Sequence, residues 1–547
     1  MKLGVIGAGT MGGGIAQVAA QQGIDVRLLD VRTELVQAGV DRIRGFLQRA
    51  VERGRMSKAD ADATVGRIEP TVEFSALADV DAVIEAAVED IAVKSQVFRQ
   101  LDEHCPAHAI LASNTSSLSV TEIGAATKRP EAVVGMHFFN PVPLMALVEV
   151  VRGYSTSDAT MDRAVDLARL LGKTPVRASD TPGFIVNRIV RPFYNEALRI
   201  LGDGVADYPI VDRIMKGVGF RMGPFELMDL IGNDVNFAVT HSIFSQLYGE
   251  PKLRPSFRQL RIVQSGNLGQ KTGRGWYAYD GSSAPELPTI AAEPLMGPVA
   301  VVGDSALGMD LASALSAAGL ETRVWSREPP RAATSGVHGV ASIAEAVSGA
   351  ALVVEAGWSR DTKREMLRDV ARVAPRTPVA SIALTVAASE AASWHANPSI
   401  VCGFAVLPPL ADAKVVEVAP ALQTDPAAVK AAESLAVAVG KEPVLVGDGS
   451  GGVAARIVAL IVNEACAALM EGIATREDID AAVRLGANYP HGPLEWADLI
   501  GVDLVYAIIR GMHEELREDR YRPAPLLRRM ALAGWTGRDA GRGFSTF

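Results

Sequence analysis

The chain has 547 residues, 48% of them hydrophobic and 21% charged, with a formal net charge of -9. This length exceeds one ordinary domain, so three or four domains, each with its own core, are expected. No apolar run approaches the roughly 18 residues that a membrane span takes, and the negative charge gives no general attraction to nucleic acid, so the expected partner is a small molecule held by local groups. The three cysteines, Cys105, Cys402 and Cys466, form no metal-ligand spacing and suit a reducing compartment. With no basic, apolar leader at the N-terminus, a cytoplasmic location is expected.

Lys2–Ile6 is β-rich and runs into Gly7-Ala8-Gly9-Thr10-Met11-Gly12, then an alanine-rich helical stretch over 13–22. In this strand, turn and helix, Gly7 permits the tight turn, Gly9 lets the backbone approach a pyrophosphate, and Gly12 lets the helix pack close to the strand. Thr10 and Met11 open the helix whose N-terminus meets the phosphates. A second strand, Asp25–Leu29, ends at Asp30, an acid placed for the adenosine ribose hydroxyls and favouring NAD over NADP. Capping of the following helix is the other reading of Asp30.

Two helical patterns, 34–53 and 57–67, delay the return to the sheet and read as an inserted hairpin. Between 32 and 58 the chain carries Arg32, Arg42, Arg44, Arg49, Arg53, Arg55 and Lys58 against Glu34, Asp41 and Glu52, a surplus of four positive charges. That suits either a phosphate-rich substrate or an ordinary solvated helix face. Strands over 81–87 and 110–112 follow; Glu89, Lys94 and Asn114 at their exits join the cofactor-side set, because ligands gather at the strand ends of a parallel sheet. A further strand, 133–136, delivers His137. A neutral imidazole suits removal of a hydroxyl proton near neutral pH, and Glu149, on a strand able to run back beside it, could fix the tautomer. On residue grounds alone, a lone histidine beside two phenylalanines is more often a packed core histidine.

Taken together, GAGTMGGGIAQ, VIEAAVED, SNTSS, HFFNPVPLM with LVEVV, and DTPGFIVNR resemble the 3-hydroxyacyl-CoA dehydrogenase family over residues 1 to about 280. The resemblance implies reversible NAD-linked oxidation of an (S)-3-hydroxyacyl-CoA to the 3-oxoacyl-CoA. It implies His137 as base and Glu149 as its partner, with Ser116 and Asn187 contacting the substrate oxygen, Asn140 supporting the site, and the hairpin helping to hold CoA. The expected fold is α/β plus all-α: a Rossmann-type NAD-binding catalytic domain with a hairpin insertion (1–182), a helical domain (183–284) with a helix over 184–201, and a linker (285–297).

From 298 the chain starts again. VAVVGDSALGMDLASALSAAGLETRVWSR lies over the first strand, turn and helix at a constant offset of 296, with Gly303 and Gly308 kept, Ser305 in place of Gly9, and Ser326 in place of Asp30. A role for Ser326 and Arg327 at a 2'-phosphate is the alternative to a degenerate turn. At an offset of 268, Leu384, Ala405, Pro408 and Ala455 replace Ser116, His137, Asn140 and Asn187, and only Glu417 still matches, opposite Glu149. A degenerate, structural Rossmann-like domain (298–447) and a second helical domain (448–547) are therefore expected, with the two helical domains forming an intramolecular pseudo-dimer and homo-oligomers open. The duplicated layout resembles bacterial members associated with phenylacetate or butyrate metabolism. A dehydrogenase of a free hydroxy or sugar acid, and a non-catalytic NAD or acyl-CoA sensor, are the competing functions.

Overall fold

The computed structural model describes residues 1–281, 290, 292–327 and 336–547. Of the expected linker, residues 285–289 and 291 lie outside the described residues, as does the end of the first helical domain, 282–284.

The first sheet contains β1 (Lys2–Ile6), β2 (Asp25–Leu29), β3 (Ile68–Thr71), β4 (Ala82–Glu85), β5 (Ile110–Ser113), β6 (Val133–Phe138), β7 (Leu147–Arg152) and β8 (Thr174–Ser179). Their order is β3-β2-β1-β4-β5-β6-β7-β8, parallel except where β7 runs against β6. Runs such as VVGMHF are buried throughout, as strands covered on both faces by helices must be. The reversal of strand order between β1 and β4 creates a crevice at the strand ends beside α1 (Thr10–Gln21).

The inserted hairpin is α2 (Thr33–Glu52) and α3 (Lys58–Gly66). Val36, Val40, Ile43 and Leu47, spaced to share one helix face, are the buried stripe that ties α2 to the core. The next helix of the sheet, α4 (Ile91–His104), begins at Asp90, whose carboxylate accepts from the N–H groups of Ala92 and Val93.

The expected continuous helix over 184–201 is broken. The structure has Val186–Ile189 and then Arg191–Asp203, because Pro192 supplies no N–H and fits only the first turn of a new helix. β3 and β8, both half-exposed edge strands, have no counterpart among the strands read from sequence.

The second sheet repeats the first. β9 (Val299–Val302), β10 (Thr322–Trp325), β11 (Val337–Gly339), β12 (Leu352–Glu355), β13 (Val379–Ile382), β14 (Val401–Ala405), β15 (Val415–Pro420) and β16 (Glu442–Leu445) take the order β11-β10-β9-β12-β13-β14-β15-β16, with β15 antiparallel to β14.

The compact units cut across this repeat. One comprises residues 1–189 with 468–488, the other 190–467 with 489–547. Within the first, helix Arg476–Ala487 of the C-terminal repeat packs on β7, β8 and Val186–Ile189. Within the second, the equivalent helix of the N-terminal repeat, Tyr208–Gly217, packs on β15. The second unit also joins the two sets of helices. Buried Arg456 pairs with Glu196 and, at 2.9 Å, with Asp203, while Phe220 stacks with Tyr489 at 4.8 Å and Trp496 at 5.7 Å.

Candidate active site

β6 and β7 place His137 and Glu149 directly opposite each other. The imidazole Nδ1 lies 2.6 Å from Glu149 Oε2, and both side chains are buried, at 7% and 0% exposure. Glu149 Oε1 accepts from the backbone N–H groups of Ile185 at 3.0 Å and Val186 at 2.9 Å. Those donors are aimed by two consecutive left-handed residues, Gly183 (φ 79°) and Phe184 (φ 47°). Such a conformation is strained for phenylalanine and is held by its complete burial beside the His137 ring, at a centroid distance of 5.9 Å. Phe139 covers the ring at 4.5 Å. The carboxylate therefore orients the imidazole, anchors the entry to Val186–Ile189 and fixes Nδ1, which leaves Nε2 as the nitrogen for a ligand. Asn187 sits in that short helix, one residue beyond the anchored N–H.

Ser116 follows β5. Its backbone N–H and hydroxyl face Glu89 Oε1 at 2.8 and 3.3 Å, and Thr115 and Ser117 donate to the same oxygen. Burial works against ionisation of Glu89, but Lys94 and the Thr115, Ser116 and Ser117 donors outweigh it, holding the carboxyl below its usual range. Lys94 is itself buried, with Nζ 2.7 Å from Glu85 and 3.4 Å from Glu89. Lys363, Glu355 and Ser381 reproduce the Lys94, Glu85 and Ser113 cluster in the second sheet, which marks it as a brace of the fold. The placement of Lys94 thus gives it a route to a cofactor only through Glu89. Asn114 receives the Phe138 N–H on its Oδ1 at 2.8 Å and so tethers β6 next to His137.

On the cofactor side, Gly9 is the N-cap of α1 and no side chain caps that helix, so the first-turn N–H groups of Thr10 and Met11 face outward. A Cβ at Gly9 would meet nothing within 4 Å, whereas one at Gly7 would lie 2.6 Å from the Ala86 carbonyl and one at Gly12 would strike the Gly7 carbonyl. Gly7 and Gly12 are thus required by packing, and Gly9 by the space it leaves. Asp30 directly follows β2 and accepts from Ala8 N at 2.7 Å, joining strand end to turn. An uncapped helix N-terminus, open space over Gly9 and a strand-end acid fit a dinucleotide.

A cavity of about 640 Å3 runs between α1, the hairpin and the loop after His137, lined by Gly9, Phe46, Arg42, Arg49 and Asn140 among others. Asn140 faces this cavity, which places it beside the hairpin arginines. Arg42 also reaches the Ala8 carbonyl, and Arg44 pairs with Asp41 at 2.6 Å.

The second sheet lacks these features. Ser305 caps its helix by accepting from Gly308 N at 3.0 Å, filling the position that an anion would need. Asp304, in the turn, accepts from Arg327 N at 2.7 Å, so a carboxylate stands where Ala8 stands in the first copy. It would repel a pyrophosphate. Ala405 faces Glu417, and that carboxylate accepts from Val453 N at 2.6 Å and Ala454 N at 2.9 Å without any imidazole.

Two features of the site were not legible in the sequence. The aromatic cover of His137 by Phe184 depends on the turn, and the support behind Glu149 comes from a helix more than three hundred residues away. Gly486 of that helix packs so closely that a Cβ there would lie 2.7 Å from Leu147 Cδ2 and 3.0 Å from Val186 Cγ2.

A doubly wound sheet with an open glycine turn, and an imidazole-carboxylate pair beside its strand ends, defines a nicotinamide-linked dehydrogenase. The family model for the 3-hydroxyacyl-CoA dehydrogenase NAD binding domain matches residues 2–181 and 323–449, and that for the C-terminal domain matches 183–279 and 451–547. The 3-hydroxyadipyl-CoA dehydrogenase of Escherichia coli K12 is 37% identical over 529 residues, 96% of this chain and 97% of that one. The 3-hydroxybutyryl-CoA dehydrogenase of Clostridioides difficile is 44% identical over 285 residues, 51% of this chain and all of the other. A crystal structure of 3-hydroxybutyryl-CoA dehydrogenase from Escherichia coli K12 superposes with a TM-score of 0.78 at 33% identity, covering 97% of this chain and 98% of that one. The chain belongs to the 3-hydroxyacyl-CoA dehydrogenase family, in duplicated form, and is an NAD-dependent oxidoreductase. Among its described residues no helix is long and apolar enough to cross a membrane.

Proposed function

We propose that the first repeat alone oxidises (S)-3-hydroxyacyl-CoA, with His137 as the base. The 2.6 Å contact of its Nδ1 with Glu149 carries this reading. Nε2 takes the proton of the substrate 3-hydroxyl, and Glu149 stabilises the resulting imidazolium without itself becoming protonated. In the reverse direction the imidazolium returns that proton. Ser116 and Asn187 orient the substrate oxygen, and Asn140 supports the loop beside them. Gly7, Gly9, Gly12, the first turn at Thr10 and Met11, and Asp30 would hold NAD, with Glu89, Lys94 and Asn114 bracing the loops next to it. Bound there, NAD would supply the acceptor for the hydride that leaves the substrate carbon. Phe139 and Phe184 keep water from the imidazole. The hairpin arginines Arg42 and Arg49 receive the CoA phosphates at the mouth of the cavity.

The second Rossmann-like domain serves as structure, and its helices pair with those of the first repeat in place of a second subunit. One NAD and one catalytic acyl-CoA site per chain follow, in an enzyme of the cytoplasm. The acyl group is a short 3-hydroxyacyl or its dicarboxylic counterpart, as the names of the two relatives suggest. Purified protein with NAD should form NADH from 3-hydroxybutyryl-CoA or 3-hydroxyadipyl-CoA, and a panel of short, medium and dicarboxylic thioesters should rank them. Equal turnover of the free hydroxy acid would overturn the CoA reading, and NAD binding without turnover of any thioester would overturn the catalytic one.

A further inference from the structure

Asn187, proposed above to orient the substrate oxygen, rides on a single helical turn, Val186–Ile189. The second repeat has Leu460 where the first, 268 positions earlier, has Pro192, and its helix runs unbroken as Ala454–Met470. Pro192 thus leaves the Asn187 segment as a turn of its own. One turn closes too few backbone hydrogen bonds to hold its shape unaided, so its orientation depends on what grips it from outside.

Two carboxylates grip it. Glu149 holds the entry through the N–H groups of Ile185 and Val186. The second holds the exit and comes from the other repeat. Arg188, 6% exposed and next in sequence to Asn187, sets Nη1 2.7 Å from Glu471 Oε2 and Nη2 3.1 Å from Glu471 Oε1. Such a two-pronged pair of guanidinium and carboxylate fixes direction as well as distance. The chain beside Glu471 is itself seated on the end of β8. There the Gly472 carbonyl accepts from Ser179 Oγ at 3.2 Å, and the Ile473 carbonyl accepts from Ser179 N at 2.8 Å.

The pair recurs in reverse. Arg456 and Asp203 stand 268 positions from Arg188 and Glu471, and they lie 2.9 Å apart. The clamp is therefore part of the fold in both directions, but Ala455 precedes Arg456 where Asn187 precedes Arg188. Only in the first repeat does it bear on a residue of the proposed site. We infer that Glu471 is a positioning residue for the dehydrogenase reaction, holding the Asn187 turn through Arg188, so that the site geometry of the first repeat depends on a side chain of the second. This rests on the reading that Asn187 orients the substrate oxygen.

Steady-state rates of the full chain with NAD and 3-hydroxybutyryl-CoA test this as a double-mutant cycle. E471Q keeps the size of the side chain and removes its charge at a half-exposed position, which leaves folding intact. Its kcat should fall roughly three- to tenfold with KM for NAD unchanged, because a misplaced orienting group costs rate and not cofactor binding. E471D, which restores the charge, should recover most of that loss. In the N187A background E471Q should cost less than about twofold, since the group it positions has gone. A loss of the same size in both backgrounds is the mark of a merely structural brace and would overturn the inference. So would a wild-type rate for E471Q, or an E471D no faster than E471Q. N187A at the wild-type rate would instead overturn the role of Asn187 itself, and this inference with it.

Discussion

Glu149 faces His137 across the β6 and β7 pair, and Glu417 faces Ala405 across β14 and β15 in the same register. Both carboxylates hold the start of a helical segment by accepting two backbone N–H groups. The glutamate thus has a folding role in each repeat, and only the first adds an imidazole to it. The second repeat keeps the carboxylate and its two backbone donors and has an alanine where the first has the imidazole.

Replacing the imidazole should therefore separate chemistry from binding. His137→Ala is expected to lower turnover by about 10² to 10⁴, the usual contribution of one positioned base. NAD affinity should stay within twofold, since the glycine turn and Asp30 are formed by other elements. Retention of more than a tenth of the wild-type rate would remove His137 from the proposed role.

The paired glutamates should respond differently to amidation. E149Q should lower turnover by about 10²-fold, because the imidazolium loses its counter-charge. E417Q should leave turnover unchanged and alter the pH dependence of stability. Burial pushes the Glu417 carboxyl up to about 7, with the Ala454 and Val453 N–H groups opposing it in part. The folded chain then binds this proton at a pH where the unfolded chain, near 4.3, has released it. Stability from this group is full below about pH 4 and falls as pH rises to 7, by at most about 4 kcal/mol. Denaturant titrations across that window should show a shallower decline for E417Q; an identical slope would refute the assignment.

The two nucleotide turns should be unequal. Asp30→Ala is expected to weaken NAD and narrow its preference over NADP, because the acid that meets ribose hydroxyls and repels a 2'-phosphate has gone. Ser326→Ala should change neither. Titration that finds two equivalent NAD sites per chain would contradict the single-site account, as would comparable effects from the two variants.

Gly486 tests whether the second repeat supports the site of the first. A valine there would press on Leu147 and Val186, on either side of the Glu149 carboxylate, at a cost of roughly 1–3 kcal/mol for overpacking. The expected result is a several-fold fall in kcat with little change in NAD affinity. A chain shortened to end at Asp280 removes the whole helix Arg476–Ala487 together with Arg456, the partner of Glu196 and Asp203. It should aggregate or dimerise through the uncovered face. A shortened chain that stays monomeric and fully active in sedimentation and rate measurements would show the second repeat to be dispensable.

The sequence by itself determined the nucleotide fold and the duplication, and it put forward the residues proposed for the first site and their absence from the second. These rest on local chemistry: a glycine turn, a strand-end acid and an alternation of strand and helix are all written within some thirty residues of one another. The pairing of His137 with Glu149 was also within reach, because twelve residues are enough for a strand to turn and run back. Tertiary structure alone decided the break at Pro192, the left-handed Phe184 that covers His137, and the burial of Lys94 between two carboxylates. It also decided the exchange of helices, by which Arg476–Ala487 comes to lie behind β7. Two repeats with the same pattern bury the same apolar faces whether each keeps its own helix or takes the other's. Hydrophobic periodicity shows that a face is covered; only the packed chain shows which segment covers it.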